Sequence, residues 1–200
     1  MPTPPGPRHR DSSPPPSSGD ETAVPLSAPT GARRADAISL LVLDVDGVLT
    51  DGSIVHGPSH FELKRFNTKD GFGVRLWAQM GFRAGIITGR SSDAVATRAR
   101  ELGLDPVIQG SKNKDESLSI MLGTLGLTAD RACVVGDDWP DIRIMRRAGY
   151  AIAPADAARE VLELADHVTP SPGGRGCVRD AVEHLLREKG LFARARSLYD

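Results

Sequence analysis

The sequence predicts a doubly wound α/β fold: a parallel sheet covered by helices on both faces, with a small β-hairpin flap and no cap domain. Three observations predict it. From residue 37 onward short apolar runs alternate with helix-like segments. Those runs are apolar at successive rather than alternate positions, which is the pattern of strands buried on both faces. Residues with reactive side chains follow the ends of four of the runs, so all of them would meet on the rim where such sheets bind ligands.

The elements follow in order. Residues 1–36 are Pro/Ser-rich and hold nine of the chain's fifteen prolines, with Val24 and Leu26 as their large aliphatics. Such a segment cannot bury enough surface to offset its ordering entropy, so a disordered tail is expected there. Residues 37–190 are expected to form the globular domain, and 191–200 a loose C-terminal tail. The first strand spans 39–45 and carries Leu40, Leu41, Val42 and Leu43 into Asp44. Two extended arms, 52–56 and 61–66, flank the turn residues Gly57, Pro58 and Ser59 and read as a projecting hairpin. A helix is expected over 70–80, capped by Asp70 and burying Val74, Leu76, Trp77 and Met80. The second strand is 83–88. A helix over 91–102 begins at Ser91 or Ser92 and is stopped by Gly103. A short strand at 106–109, a helix at 114–125 ended by Gly126, and a strand at 131–135 come next. Helices at 140–147, 155–164 and 176–189 alternate with extended pieces at 150–153 and 167–169.

Net charge is −1. That near-balance argues against nucleic acid or an anionic membrane as an obligate partner. No apolar run reaches the ~18 residues of a membrane span. The start of the chain lacks the apolar core of a secretory signal. Cys133 and Cys177 are far apart and read as small core residues in a reducing compartment. A cytoplasmic protein is expected.

The chemistry begins at Asp44 and Asp46. Alternate residues at a strand end point the same way, so two carboxylates would sit close together. They stay ionised together only with a cation nearby, and Mg²⁺ with a phosphate ligand would supply it. Asp44 is the candidate nucleophile, able to form an aspartyl phosphate. Asp46 is the candidate acid and base, and for that role its pKa must lie above that of Asp44. Asp137, after a strand and Gly136, fits a metal ligand. Asp138 and Asp141 either hold metal-bound waters or serve a turn and helix cap. Thr88 offers a hydroxyl and a backbone N–H to a phosphate oxygen, and Gly89 permits close approach. Lys114 or Lys112 is the counter-charge. Arg75, Arg90 and Arg98 have the forked guanidinium that suits a carboxylate or phosphate. His56 and His60 flank the hairpin tip and read as surface residues.

Taken together, DVDGVLTDG, IITGR, Lys114 and GDDWPD resemble, in that order, the four motifs of the haloacid dehalogenase superfamily of phosphatases. The resemblance covers about residues 40–189 and implies a Rossmann-like sheet of that type. The stretches FELKRFNTKDGFGVRLW, QGSKNK, GDDWPDIRIMRRAG and ADHVTPSPGGRGCVRDAVEHLL further resemble 3-deoxy-D-manno-octulosonate 8-phosphate phosphatases and their nonulosonate 9-phosphate relatives. That likeness implies Mg²⁺-dependent hydrolysis of a phosphorylated 2-keto-3-deoxy sugar acid in lipopolysaccharide biosynthesis. It implies Asp44 as nucleophile and metal ligand, Asp46 as acid/base giving the metal its backbone carbonyl, and Asp137 as a third metal contact. It selects Lys114 over Lys112. It places Asn67, Gly71, Phe72, Gly73, Val74, Arg75, Arg90 and Arg98, with Asp46 and Lys114, at substrate-binding positions. It also implies a homotetramer whose hairpins and tails complete neighbouring sites. The arginine-rich 191–200 differs from the Gly-rich tails usual in that family.

A size argument stands apart from the resemblance. Between Asp46 and Thr88 there is room for one hairpin and one helix, and between Lys114 and Asp137 for one helix. No cap fits either gap, so an open site would need a neighbouring subunit to close it. A phosphoryl-accepting regulatory domain would also use a strand-end Asp with Thr and Lys nearby, but it has no need of Asp46. A catalytically idle scaffold would not fill all four motifs.

Overall fold

The computed structural model describes residues 34–57 and 62–200. The expected N-terminal tail (1–36) lies almost wholly outside the described residues, as does the tip of the hairpin, with His60. Strands β1 (Leu40–Leu43), β4 (Arg83–Ile87), β5 (Val107–Ile108), β6 (Ala132–Val135), β7 (Tyr150–Ala153) and β8 (His167–Val168) form one parallel sheet in the order β5-β4-β1-β6-β7-β8. Strands β2 (Val55–His56) and β3 (Glu62–Leu63) form the separate antiparallel hairpin. The chain leaves β1 toward β4 and β5, then returns to the other side of β1 at β6. The reversal makes the carboxyl ends of β1 and β6 the switch point, where the fold opens a crevice.

Both faces of the sheet are covered, as the apolar strands require. Leu41 and Leu43 of β1 face a core built with α1 (Thr68–Gln79), α2 (Asp93–Leu102) and α6 (Cys177–Glu188). Leu40 and Val42 face the other core, with α3 (Lys114–Leu125), α4 (Ile142–Arg147) and α5 (Arg159–Leu164). The alternation along β1 therefore divides the helices into two layers. Cys133 and Cys177 are buried thiols, as expected. Val74, Leu76 and Trp77 are buried on α1, with Met80 packed at the edge of the same core. Among the described residues no helix is long and apolar enough to cross a membrane. Among them, too, no element larger than the hairpin and α1 separates Asp46 from β4, so no cap lies there.

Two expectations are corrected. Asp70 does not cap α1. The cap is Asn67, whose side chain accepts the Lys69 N–H at 2.9 Å, and the helix begins at Thr68. Asp70 lies inside the first turn and is buried. Its carboxylate instead accepts the N–H groups of Gly176 (3.1 Å), Val178 (2.9 Å) and Arg179 (3.1 Å) at the start of α6. The last ten residues are not loose. They form α7 (Phe192–Arg196) and a 3₁₀ turn (Ser197–Tyr199). Ala195 is buried, Leu191 and Phe192 pack against the core, and the Tyr199 ring lies 5.0 Å from that of Phe72 while its hydroxyl donates to Gln79.

Candidate active site

The site is built on the turn that follows β1. The Asp44 N–H donates to Val135 O at 3.1 Å, which ties the end of β1 to the end of β6. The chain then reverses through Gly47, at φ +92°. A Cβ there would lie 2.0 Å from Asp137 Oδ2, so a side chain at 47 would occupy the acid's own position. The Thr50 N–H and hydroxyl both donate to Val45 O and close the turn. The loop before α6 supports it from outside. Gly174 N donates to Val48 O at 2.9 Å, and a Cβ on Gly173 would lie 1.9 Å from Gly47 O.

Three acids converge at the crevice. Asp44, Asp137 and Asp141 each present a carboxylate oxygen, and these oxygens lie within 4.8 Å of one another. Lys114 Nζ reaches Asp141 at 2.7 Å and Asp44 at 3.0 Å. Its helix α3 is capped by Asn113, which accepts the Asp115 and Glu116 N–H groups, so the lysine is delivered from the first position of a fixed helix. Lys112, two residues earlier, is exposed. Burial, reinforced by the charge of Asp141, raises the Asp44 pKa to about 6 against the opposing pull of Lys114. Burial and the charges of Asp44 and Asp141 raise Asp137 to about 8. Burial works against the Lys114 ammonium too, but the two carboxylates outweigh it and its pKa is raised.

One ammonium facing three carboxylates leaves negative charge uncompensated, and Asp137 Oδ1 is buried without a hydrogen-bond partner. An orphaned buried acceptor among clustered carboxylates is what a hard divalent cation satisfies. The donor set is all oxygen, so the residues fit Mg²⁺.

The resemblance gives Asp46 a metal contact through its backbone carbonyl, not its carboxylate. In the structure its carboxylate is turned out of the cluster, and the side chain that completes the trio is Asp141. The Gly47 turn rotates Asp46 toward the hairpin, where Lys64 Nζ donates to Oδ1 and Arg90 Nε stands 3.8 Å from Oδ2. Lys64 also pairs with Glu62 at 3.1 Å, and Arg90 with the other oxygen of Glu62 at 2.6 Å.

The remaining expected residues divide. Thr88 is buried at the end of β4, but its N–H donates to Ile108 O as part of the sheet, so its hydroxyl alone is left to face a ligand. Asp138 caps the turn after it, accepting the Trp139 N–H at 2.8 Å. Arg98 lies against Gly71, pairs with Glu101 at 3.1 Å and packs on Phe66. A groove of about 770 Å³ opens beside it, lined also by Glu62, Phe66, Thr68 and Ser91. Asn67 serves α1 as its cap and reaches Gly174 O at 3.4 Å. Val74 is spent in the core, Gly73 on close contact with the backbone of Arg179, and Phe72 beneath Arg179 and Tyr199. Helical geometry turns 73 and 74 toward α6 and the core, away from the crevice. Arg75 is exposed on α1. His56 is exposed and outside the acid cluster.

The haloacid dehalogenase-like hydrolase family matches residues 107–179. The 3-deoxy-D-manno-octulosonate 8-phosphate phosphatase KdsC of Escherichia coli (strain K12) is 40% identical over 172 residues, 86% of this chain and 91% of that protein. Among solved structures, the 3-deoxy-D-manno-octulosonate 8-phosphate phosphatase of Moraxella catarrhalis, in complex with magnesium ion, phosphate ion and KDO, is 35% identical. Its TM-score is 0.81, covering 83% of this chain and 95% of that one. The cobalt-bound deoxy-D-mannose-octulosonate 8-phosphate phosphatase (YrbI) of Haemophilus influenzae is 28% identical at a TM-score of 0.78, covering 83% and 95%.

Proposed function

The chain belongs to the 3-deoxy-D-manno-octulosonate 8-phosphate phosphatase family of haloacid dehalogenase-like hydrolases, and from that membership we propose how its own residues hydrolyse 3-deoxy-D-manno-octulosonate 8-phosphate. One observation carries the reading. Asp44, paired to Lys114, shares a buried acidic crevice with Asp137 at the carboxyl ends of two adjacent central strands.

Asp44 attacks phosphorus, and the bond from phosphorus to the sugar oxygen breaks as the aspartyl phosphate forms. Asp46 gives the departing oxygen a proton, then takes one from the water that releases phosphate and restores Asp44. Lys114 keeps the attacking carboxylate oriented and offsets charge on the phosphoryl group, and the Thr88 hydroxyl donates to one of its oxygens. Asp44 and Asp137, with the backbone carbonyl of Asp46, would hold Mg²⁺, which when bound neutralises charge on the phosphoryl oxygens. Arg90 and Arg98 offer the guanidinium groups that suit the sugar acid's carboxylate.

The absence of a cap leaves this crevice open. The hairpin exposes Ile54, Val55 and Leu63 at 50%, 48% and 52% of their surface, an apolar patch suited to another subunit. A homotetramer in the cytoplasm, closing each site with a neighbour's surface, fits both features. Sedimentation analysis tests this part: a fully active monomer refutes it.

The function is tested by phosphate release from an eight-carbon keto-acid phosphate, its nine-carbon counterpart and glucose 6-phosphate, each with and without Mg²⁺. The expected result is Mg²⁺-dependent preference for the eight-carbon substrate. Equal rates on glucose 6-phosphate overturn the assignment.

A further inference from the structure

On the hairpin side of the crevice the Lys64 side chain is charged and yet shut away, with 1% of its surface exposed. A buried ammonium is costly unless it is paired. Here it is paired twice, with Asp46 and with Glu62 at 3.1 Å. Glu62 is held from its other side by Arg90 at 2.6 Å, and Arg90 stands 3.8 Å from the second oxygen of Asp46. Two basic and two acidic side chains thus close a compact ring. It links the hairpin strand β3, the loop after β4 and the turn after β1.

Asp46 needs such a restraint. It occupies a turn that reverses at Gly47, and among the described residues Lys64 is the side chain that donates a hydrogen bond to its carboxylate. A group that must meet the leaving oxygen and then a water is useful only if its carboxylate stays aimed. A misplacement of about 1 Å costs on the order of 10²-fold in rate. We propose that Lys64 is a positioning residue for this reaction: from the hairpin it fixes the Asp46 carboxylate, with Glu62 fixing the lysine in turn. The flap then serves the chemistry of its own subunit and is more than a surface for a neighbour. The proposal rests on Asp46 acting as the acid and base in the reading above.

The test compares wild type with Lys64→Met and Lys64→Arg as full chains with Mg²⁺. Each is assayed for kcat and KM on p-nitrophenyl phosphate and on the eight-carbon sugar-acid phosphate. The expected result is a kcat lower by about 10- to 100-fold in Lys64→Met, with KM within about threefold and the Mg²⁺-induced rise in melting temperature retained. Lys64→Arg, which can still donate to Asp46, recovers most of the kcat. A kcat within about twofold of wild type overturns the proposal, and so does a loss carried by KM alone, which would mean that Lys64 meets substrate rather than Asp46. If Lys64→Met does not fold, Lys64→Gln is read in the same way, and an unchanged kcat there overturns it equally. A wild type that cleaves p-nitrophenyl phosphate but no sugar-acid phosphate removes the substrate assignment and leaves the Lys64 comparison readable.

Discussion

The carboxylate of Asp70, in the first turn of α1, accepts the backbone N–H of Val178 at 2.9 Å, 108 residues further along the chain. With Gly176 and Arg179 it satisfies three of the N–H groups that a helix start leaves without partners. The α1–α6 contact fixes the loop at 172–176, which in turn presses on the Gly47 turn. A stability element therefore stands two contacts from the nucleophile.

Replacing Asp70 by Ala strips those buried donors of their acceptor. The expected cost is about 2–4 kcal/mol. In a chain of this size that corresponds to a melting temperature lower by about 4–16 °C. Calorimetry or circular dichroism reads it, and a loss of less than about 1 kcal/mol shows that the α6 start is satisfied in another way.

Asp137 gives a pH prediction. In the folded chain its pKa is raised to about 8, and that of Asp44 to about 6, both above the ordinary carboxylate value of 3.8. A raised carboxylate pKa means that the folded state holds its proton more tightly. The contribution to stability is then full at low pH and is lost as pH rises from about 4 through the folded values. Without divalent ion, Asp137→Asn escapes the larger part of that loss. Its melting temperature relative to wild type should climb between pH 4 and 8. The rise in melting temperature that Mg²⁺ brings to wild type should grow over the same interval. A difference independent of pH contradicts this account of the cluster.

The parts of the site that follow strands are legible in the sequence, because a buried strand dictates where its next residue lies. Asp44, Thr88 and Asp137 come out on one rim for that reason, whereas the residue pattern leaves Lys112 and Lys114 open, the resemblance selects Lys114, and the structure delivers it from the first position of a helix capped by Asn113. Asp141 stays ambiguous in the sequence because four residues after Asp137 suits a helix cap as well as a cluster. Only the packing of α4 against β6 decides between the two. Lys64 and Glu62 do not stand out because the hairpin strands are two residues long, and how such a short arm folds back is set by tertiary contact. Asp70 reads as the cap of its own helix because local pattern cannot show a partner on α6. The C-terminal helix is hidden because its apolar residues are few and interrupted by arginine.

That helix carries its own prediction. The Tyr199 ring lies tilted at 57° against that of Phe72, and its hydroxyl donates to Gln79. Tyr199→Ala should lower stability by about 0.5–1.5 kcal/mol, the range for such aromatic pairs. Proteolysis at 190–200 should quicken at the same time. Unchanged proteolysis would mean that the segment is held by Ala195 and Phe192 alone.

Asp46→Asn separates turnover from metal binding. The cluster oxygens belong to Asp44, Asp137 and Asp141, so Mg²⁺ should still raise the melting temperature of the variant. Loss of the proton donor and acceptor should lower kcat by about 10²–10⁴-fold. Turnover near wild type refutes the acid/base role.

Gly47 tests whether the turn itself shapes the cation site. A methyl group there meets two obstacles. The backbone stands at φ +92°, where a side chain costs about 1–2 kcal/mol. The Cβ position also lies 2.0 Å from Asp137 Oδ2. The backbone cost alone would lower stability and leave the folded fraction active. The clash displaces the carboxylate that needs a cation, so Gly47→Ala should lose the Mg²⁺-induced rise in melting temperature and about 10²-fold or more in kcat. Gly52 supplies the control: it too stands at positive φ, but a Cβ there would find its nearest neighbours 3.7 Å away. Gly52→Ala should show the stability loss while keeping the Mg²⁺ response. If both variants lose that response alike, backbone strain rather than the contact with Asp137 governs the site.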